Sequence, residues 1–285
     1  MTMTRKQQLQ ANNAAVQAAI QKMNNIHMKR VDVLYDELPY EFAAGCAVIL
    51  NDEIHIMGGT KLTRKEHYKW TGIQWESVST LPYEFYYGCA CVYNNQIHIM
   101  GGYGNHTGHY SYDGQQWNLV STTPTDMMAG CCVVVGNAIH IFANTDHYKW
   151  NGVSWEKVST LDPTFNYASV VAIDNDIYLL GGNQSPTLFR KWNGSTWTTL
   201  ATLPYQFYYG CAEAVDGVIH IYGGFDTTGY KKHCTYSGGS NWKNETPLRM
   251  ELTTGASVIV GGNVRILGGN KNPKMNYSPQ IIIYT

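Results

Sequence analysis

Short segments in which apolar and polar residues alternate follow one another along most of the chain, and one such segment recurs six times. Glu53-Ile-His-Ile-Met-Gly-Gly59 returns almost unchanged as Gln96-Ile-His-Ile-Met-Gly-Gly102. The remaining copies end at positions 144, 182, 224 and 269, roughly 40 residues apart. Alternation of this kind predicts half-buried β-strands, and the regular spacing predicts a repeat architecture.

Each repeat predicts four short strands joined by turns. A strand of small residues such as Gly88-Cys-Ala-Cys-Val-Tyr93 comes first, and a tight turn such as Asn94-Asn95 leads to the strand that ends in Gly-Gly. A longer loop then leads to a third strand that ends in an aromatic residue such as Trp70, and the fourth strand begins at a Trp such as Trp75. Asn, Asp and Gly tolerate the positive φ that two-residue hairpins require. Four antiparallel strands in each of six repeats predict an all-β fold with six propeller blades.

The Gly-Gly doublet, the aromatic residue and the spaced Trp resemble the kelch repeat family over roughly residues 30 to 285. The third repeat departs from the pattern with Ala143-Asn144 in place of Gly-Gly, and the last repeat lacks the Trp. The resemblance implies a six-bladed kelch β-propeller. Asn-rich turns such as Trp192-Asn-Gly-Ser-Thr-Trp197 are similar to kelch-like repeats of bacterial and phage surface proteins.

The sixth repeat has no fourth strand of its own. The segment Gln280-Ile-Ile-Ile-Tyr-Thr285 aligns with a third strand, whereas Val31–Leu38 aligns with the fourth strand of the first repeat through its Leu-Pro. We therefore expect Val31–Leu38 to complete the sixth blade and to close the ring, which removes the open sheet edges. The propeller is expected to span residues 29–285.

Residues 1–28 predict a separate helical stem or a flexible segment. Leu9, Val16 and Met23 are spaced as in a weak heptad, which Asn12 interrupts. One interpretation is a frayed helix that packs on the propeller or stays disordered, because two to three heptads are marginally stable alone. The other is a short coiled coil that makes the protein a homo-oligomer.

Composition narrows the partners. The formal net charge is -1 and only 14% of residues are charged, so electrostatics give no reason to expect nucleic acid or an anionic membrane as a partner. We see neither a long apolar run nor a signal peptide, and the localisation is left open between a virion or cell surface and the cytoplasm. Four of the seven cysteines, Cys46, Cys89, Cys131 and Cys211, occupy one position of the repeat and are predicted to be small buried apolar residues.

The ten histidines are predicted to be structural. His55, His98, His140 and His220 share one position of the second strand, and His67, His109, His147 and His233 lie near the third strand. Equivalent positions of different blades lie on the order of 10 Å apart, whereas a Zn–N bond is about 2 Å long. We therefore expect no metal and no cofactor. No familiar catalytic motif is present either, so no catalytic residue is predicted.

One face of the predicted propeller carries the variable loops. Antiparallel order places the loop between the second and third strands on the same face as the link to the next blade, and the opposite face carries only tight turns. The long segments on the first face are Thr60–Glu66, Tyr103–His109, Asn183–Phe189, Phe225–Lys232 and Asn270–Asn276. Function usually resides on the variable loops of a rigid scaffold, so we expect the ligand there.

The links between blades point to candidate binding residues. In Phe85-Tyr-Tyr-Gly88 and its equivalents the first position is always apolar and is predicted to be core, whereas the next two positions vary and are predicted to line the channel mouth. Tyrosine offers a flat apolar face with a polar tip, which suits sugars and peptides. The predicted ligand-binding residues are Tyr86, Tyr87, Tyr167, Tyr208 and Tyr209, with Arg64, Arg249 and Lys231 for anionic groups. In the alternative interpretation the tyrosines only plug the channel.

These features favour a non-enzymatic recognition module that binds a glycan or a peptide at the channel mouth. The resemblance to phage and bacterial repeats implies a phage tail or cell-surface receptor-binding subunit. Two alternatives stay open: a carbohydrate-active enzyme of the epimerase or oxidase type on a kelch scaffold, and an intracellular kelch adaptor that binds a partner peptide.

Overall fold

The computed structural model describes residues 28–34, 37–60, 63–225, 230–271, 274 and 276–284, with backbone only for 28–34 and 277–284. The chain forms two compact units, Leu34–Ser278 and a smaller one made of Met1–Val33 and Pro279–Thr285. All regular elements of the described residues are β-strands. Within these residues no helical segment has the length and apolarity that a membrane span needs.

The strands of the described residues follow in chain order. They are β1 (Met28–Leu34), β2 (Cys46–Leu50), β3 (Glu53–Met57), β4 (Glu66–Trp70), β5 (Trp75–Thr80), β6 (Cys89–Tyr93), β7 (Gln96–Met100), β8 (Gly108–Tyr112), β9 (Trp117–Thr122), β10 (Cys131–Val135), β11 (Ala138–Ala143), β12 (Asp146–Trp150), β13 (Trp155–Thr160), β14 (Ser169–Ile173), β15 (Asp176–Leu180), β16 (Phe189–Trp192), β17 (Trp197–Thr199), β18 (Cys211–Val215), β19 (Val218–Tyr222), β20 (His233–Tyr236), β21 (Lys243–Asn244), β22 (Ala256–Val260), β23 (Asn263–Leu267) and β24 (Asn276–Tyr284).

Five antiparallel sheets each consist of four consecutive strands, and we number them blades 1 to 5: β2–β5, β6–β9, β10–β13, β14–β17 and β18–β21. In the larger unit, β22 pairs with β23, and β23 pairs with β24 at Leu267–Asn276 and Ile266–Tyr277. In the smaller unit, β1 lies beside β24. Only the five numbered blades are therefore complete sheets of four consecutive strands in the described residues.

The expected all-β propeller is therefore confirmed, with five complete blades of consecutive strands. A closed ring of six blades is not confirmed, because beyond these five blades the larger unit contains only β22, β23 and the first residues of β24 among the described residues. β1 begins at Met28 and covers residues 31–34 of the predicted closing strand, while residues 35 and 36 lie outside the described residues. The predicted N-terminal helix over residues 1–28 also lies outside them, apart from Met28, which is extended.

A cyclic series of backbone hydrogen bonds encircles the central channel of the larger unit. In each link between blades, the third residue donates its N–H to the carbonyl of the third residue of the preceding link. The pairs, at 2.6–3.2 Å, are Tyr87 to Ala44, Ala129 to Tyr87, Tyr167 to Ala129, Tyr209 to Tyr167, Thr254 to Tyr209 and Ala44 to Thr254. We call these six residues the hub. Their φ angles lie between 54° and 63°, in the left-handed region that side chains other than glycine seldom adopt. The repeated geometry shows that the hub backbone is architectural, while its side chains differ from link to link.

Apolar side chains of the links fill the spaces between neighbouring sheets. Phe42, Phe85, Phe165 and Phe207 are fully buried, as expected for the always-apolar first position. Phe85 packs with Val48 and Leu50 of blade 1 and with Ile97 of blade 2. Burying one such side chain stabilises the fold by about 2 kcal/mol, so each link connects two blades energetically as well as covalently.

Blade 3 shows why Gly-Gly can be replaced there. Strand β11 continues through Ala143, and only Asn144 and Thr145 connect it to β12. Asn144 supplies the positive φ of 53° that this tight turn needs. The Gly-Gly doublet therefore belongs to blades with a long loop on this face, and blade 3 presents almost no loop to a ligand.

The repeated histidines form buried hydrogen-bonded chains within the blades. In blade 1, His55 Nδ1 lies 2.9 Å from His67 Nε2, and His67 Nδ1 lies 2.8 Å from Ser79 Oγ. Trp117 of the next blade donates its indole N–H to the same Ser79 oxygen at 3.1 Å. The same chain recurs as His98–His109–Ser121–Trp155 and as His140–His147–Ser159–Trp197. We call these chains the histidine relays, and each one connects three strands of one blade to the following blade.

Blade 4 replaces the relay as a whole. Tyr178 and Phe189 stand in the two histidine positions, and Ala201 stands where blades 1 to 3 have serine. As a consequence the indole N–H of Trp242 is buried without a hydrogen-bond partner. Because blade 4 replaces the relay with other packed side chains at the same positions, the relays serve the packing of the blades. This agrees with the structural role predicted for the histidines.

Candidate functional site

Three hub tyrosines occupy the channel mouth on the loop-rich face. The Tyr167 and Tyr209 ring centroids are 4.3 Å apart, and the Tyr87 ring lies 5.5 Å from Tyr167 and 6.1 Å from Tyr209. The other three hub positions carry the small residues Ala44, Ala129 and Thr254. A cavity of about 140 Å³ remains among these side chains. The mouth is therefore narrowed on one side and open on the side of Thr254 and Ala44.

The tyrosine cluster is the centre of a longer row of aromatic rings, which we call the aromatic belt. Neighbouring rings in the row have centroids 4.3–5.9 Å apart, within the range of favourable aromatic pairs. The belt consists of Tyr103, Tyr86, Tyr87, Tyr167, Tyr209, Tyr208, Phe225 and Tyr230. All five tyrosines predicted to line the mouth thus belong to one continuous apolar surface.

Blades 2 and 5 build the two arms of the belt in the same way. Tyr103 follows Gly101-Gly102 and donates its N–H to the Tyr86 carbonyl at 2.9 Å, and its ring stacks on Tyr86 at 4.7 Å. Phe225 follows Gly223-Gly224, donates to the Tyr208 carbonyl at 2.8 Å and stacks on Tyr208 at 5.1 Å. A link of Tyr-Tyr followed by an aromatic residue after Gly-Gly occurs only in these two repeats.

The belt is most accessible at Tyr103 and Phe225. Tyr103 is 44% exposed and Phe225 is 40% exposed, values that are high for large apolar rings. The hub tyrosines and their neighbours Tyr86 and Tyr208 are half-buried. A ligand can therefore contact Tyr103 and Phe225 more fully than the central rings.

Charged groups flank the belt unevenly. The Arg64 guanidinium lies 5.0 Å from the Tyr86 ring centre and forms a 3.0 Å ion pair with Glu84. At the other end the Lys271 ammonium lies 5.0 Å from the Tyr230 ring centre. Both contacts fall within the range of cation–π interactions. The blade 2 end is thus close to neutral, whereas a cation faces the blade 5 end.

Lys231 and Arg249 form a separate pair. The Lys231 ammonium donates a 3.1 Å hydrogen bond to the Arg249 backbone carbonyl, and both side chains are exposed. No ring contact, hydrogen bond or ion pair joins either of them to the five predicted tyrosines within the described residues. Of the three predicted basic residues, only Arg64 is therefore placed directly against the belt.

The phenols of Tyr87 and Tyr209 are poor acids in this environment. Burial raises the pKa of Tyr87, and the neighbouring Tyr167 raises it further. Burial also raises the pKa of Tyr209 well above its usual value, together with a hydrogen bond to Tyr167. These phenols therefore remain neutral hydrogen-bonding groups over the physiological pH range.

Several belt residues were not predicted from the sequence. Tyr103 and Phe225 could have been found from the sequence, because they are aromatic where the residue after Gly-Gly in other repeats is polar. Those polar residues are Thr60, Asn183 and Asn270. Tyr230 and Lys271 carry none, since they reach the belt only through the conformation of their loops. Phe225 contacts Tyr230 at 5.9 Å, a pairing within one long loop that no repeat position indicates.

The described residues contain no group of three or more His, Cys, Asp or Glu side chains arranged to hold a metal ion. All seven cysteines are free, and they are buried or half-buried. Burial raises the pKa of Cys46 and Cys131 to about 12, so these thiols are neutral and weakly nucleophilic. Their surroundings match the predicted role of small apolar residues.

Comparison with known proteins identifies the fold. No protein-family model matches the chain, and no curated protein matches it in sequence. The chain resembles the solved structure titled "Structure of YjhT" with a TM-score of 0.74 and 14% sequence identity, over 87% of this chain and 96% of that one. At this identity the likeness shows a β-propeller and no more, and membership of the kelch family stays a prediction.

Proposed function

We propose that this protein is a recognition module that binds a glycan across the loop-rich face, with the aromatic belt as its binding surface. The single observation that carries the proposal is the belt itself, a row of eight rings in which each contacts the next and in which Tyr103 and Phe225 are 44% and 40% exposed. An apolar surface of this kind costs solvation free energy unless a ligand covers it.

The blade architecture does not require these rings. The hub backbone has the same geometry at Ala44, Ala129 and Thr254 as at the three hub tyrosines. The positive φ strains alanine, threonine and tyrosine alike through the Cβ, so the backbone gives no reason to place a large ring there. The rings are understandable if they serve recognition.

A glycan fits the chemistry of the belt better than a purely apolar ligand does. Sugar rings present flat C–H faces with hydroxyls at their edges, and tyrosine presents a flat face with a hydroxyl at its tip. Arg64, Glu84 and Lys271 supply charged hydrogen-bonding groups beside the rings. The row runs from blade 2 to blade 5, which favours an elongated oligosaccharide over a single sugar.

Glycan-array screening of the purified protein, with an immobilised peptide library and whole bacterial cells as parallel arms, tests this proposal. We expect a restricted set of oligosaccharides to bind, and binding to cells that is inhibited by the same sugars. This outcome would support a receptor-binding subunit of a phage tail or a cell surface. Binding to peptides alone, or turnover of a bound sugar, would contradict it.

We further propose that the propeller is of the kelch type and that β1 completes a sixth blade and closes the ring. Three contacts of the larger unit support the closure. The hub bonds are cyclic, Gly269 donates to the Phe42 carbonyl as Gly59 donates to Phe85, and Leu38 donates to the Lys274 carbonyl as Leu81 donates to Lys65.

A truncated chain beginning at residue 35 should have a lower melting temperature than a chain beginning at residue 28. The reason is that deleting β1 removes the partner of β24 and exposes an unpaired strand edge. The longer chain is the matched control, because it lacks the predicted stem and keeps the strand. Equal melting temperatures, measured by differential scanning calorimetry, would overturn the closure.

A further inference from the structure

A second cavity lies in the channel on the inner side of the hub. Its volume is about 250 Å³, and it is lined by the first residues of the six innermost strands. We call it the channel chamber. Gly45, Gly88, Gly130, Ala168, Gly210 and Gly255 line both this chamber and the mouth cavity. A collar of residues with little or no side chain therefore connects the two spaces.

Glu213 is the one charged residue in the lining of the channel chamber. It lies in β18 at the position that is Val48, Cys91, Val133, Val171 and Val258 in the other innermost strands. An apolar residue suffices at this position in five strands, so the carboxyl group is not needed for packing. Placing a carboxylate there costs desolvation free energy that some interaction has to offset.

The described residues offer Glu213 little compensation. It forms no ion pair with them, and the hydroxyl of Ser257 in β22 is the group that stabilises its anion. Burial raises the pKa of Glu213 to about 7, so the anion is present at neutral pH but under-solvated. A carboxylate in this condition in an open cavity attracts a cation.

The rest of the lining indicates which kind of cation. Ala47, Ala90, Ala212, Ala256 and Val170 contribute apolar surface. A built divalent-metal site needs several ligands, and the described residues contain no group of three or more His, Cys, Asp or Glu side chains that could hold a metal ion. A primary ammonium group needs three acceptors and carries an alkyl portion that an alanine-lined wall accommodates.

We propose that the channel chamber binds a small protonated primary amine, with Glu213 as its counter-ion and Ser257 as a hydrogen-bonding partner. The site lies on the other side of the collar from the aromatic belt. It is independent of the proposed glycan binding, and each can fail without the other.

Isothermal titration of the full chain with butylammonium chloride, at constant total chloride and pH 8.5, tests the proposal. Saturable binding is expected for the native protein and a loss of at least ten-fold in affinity for Glu213→Gln. Glu213→Val introduces the residue of the neighbouring strands, so it should also lose binding while melting at the same or a higher temperature. Absence of binding to the native chain, or equal binding to all three proteins, would overturn the proposal.

The pH dependence provides an independent readout. Because the fraction of ionised Glu213 falls from nearly complete at pH 8.5 to about one quarter at pH 6.5, affinity should fall about four-fold. The ionisable groups on the strands packed against Glu213 are His220 and Tyr222 on β19 and Arg265 on β23, while β14 and β22 have none, and Cys211 lies two residues away on β18 itself. An affinity that rises as the pH falls would overturn the proposal.

Discussion

The free energy of unfolding should decrease by on the order of 10 kcal/mol between pH 7.5 and pH 5, enough to unfold a domain of ordinary stability. The cause is the set of histidine relays in blades 1 to 3. Burial lowers the pKa of His55, His98 and His140 to about 4. Burial and the neighbouring histidine lower the pKa of His67, His109 and His147 to about 3.

The sign follows from the direction of these shifts. A histidine whose pKa is depressed in the folded state stays neutral there, while the same residue in the unfolded chain takes up a proton below pH 6.5. Its contribution to stability is present above pH 6.5 and is lost as the pH falls toward the folded-state pKa. At pH 5 the loss is about 2 kcal/mol for each of six residues. The raised pKa of Glu213 acts in the opposite direction, but it is one group against six.

Urea unfolding followed by tryptophan fluorescence at pH values from 8 to 5 measures this effect. Blade 4 supplies a matched control, since the triple variant His140→Tyr, His147→Phe and Ser159→Ala gives blade 3 the residues of Tyr178, Phe189 and Ala201. That variant should lose about one third less stability over the same pH range, because two of six histidines are gone. Unfolding free energies that stay constant from pH 7.5 to pH 5 would contradict the account of the relays.

Gly58→Ala should destabilise the protein by at least about 3 kcal/mol, which combines backbone strain with steric overlap. Gly58 has a φ of +64°, and a Cβ there would lie 1.9 Å from the carbonyl oxygen of Phe85. Phe85 cannot retreat easily, since its carbonyl accepts from Gly59 and its amide donates to Arg64, each at 2.8 Å. The first glycine of the doublet thus allows the link to the next blade to pack directly against the backbone of Gly58.

Gly72→Ala is the matched control for this prediction. Gly72 also has a positive φ, of +90°, but a Cβ there would meet nothing within 4 Å. The Gly72→Ala variant should therefore lose only about 1 kcal/mol of unfolding free energy, the conformational penalty of alanine at positive φ. Urea unfolding at pH 7.5 measures both variants, and equal losses would show that the close approach of the two blades contributes nothing.

The repeat made most of the fold predictable from the sequence. Alternation, turn residues and Gly-Gly each answer a local backbone requirement, such as the positive φ at Asn94 and Asn95, so they recur wherever that backbone recurs. The bounds of the strand near the N-terminus could not be predicted in the same way. The closing strand was predicted over Val31–Leu38, whereas β1 runs from Met28 to Leu34 in the described residues.

The candidate site was predictable where it departs from the repeat. Tyr87 and Tyr209 could be found because other links carry alanine or threonine at that position. The contacts among the rings could not, because Tyr230 and Lys271 reach the belt through long loops whose conformation no pattern specifies. The same limitation explains why Arg249 and Lys231 were predicted beside the tyrosines but pair with each other.

The central claim is that the aromatic belt binds a ligand, and the double variant Tyr87→Ala and Tyr209→Ala tests it most directly. Its affinity for an oligosaccharide selected on the array and its melting temperature should be measured side by side with those of Tyr87→Phe and Tyr209→Phe. We expect the alanine variant to lose at least 100-fold in affinity, which corresponds to about 3 kcal/mol of binding free energy for the two rings. Its melting temperature should change little. The phenylalanine variant should retain most of the binding. A large fall in melting temperature with unchanged affinity would show that the tyrosines only plug the channel.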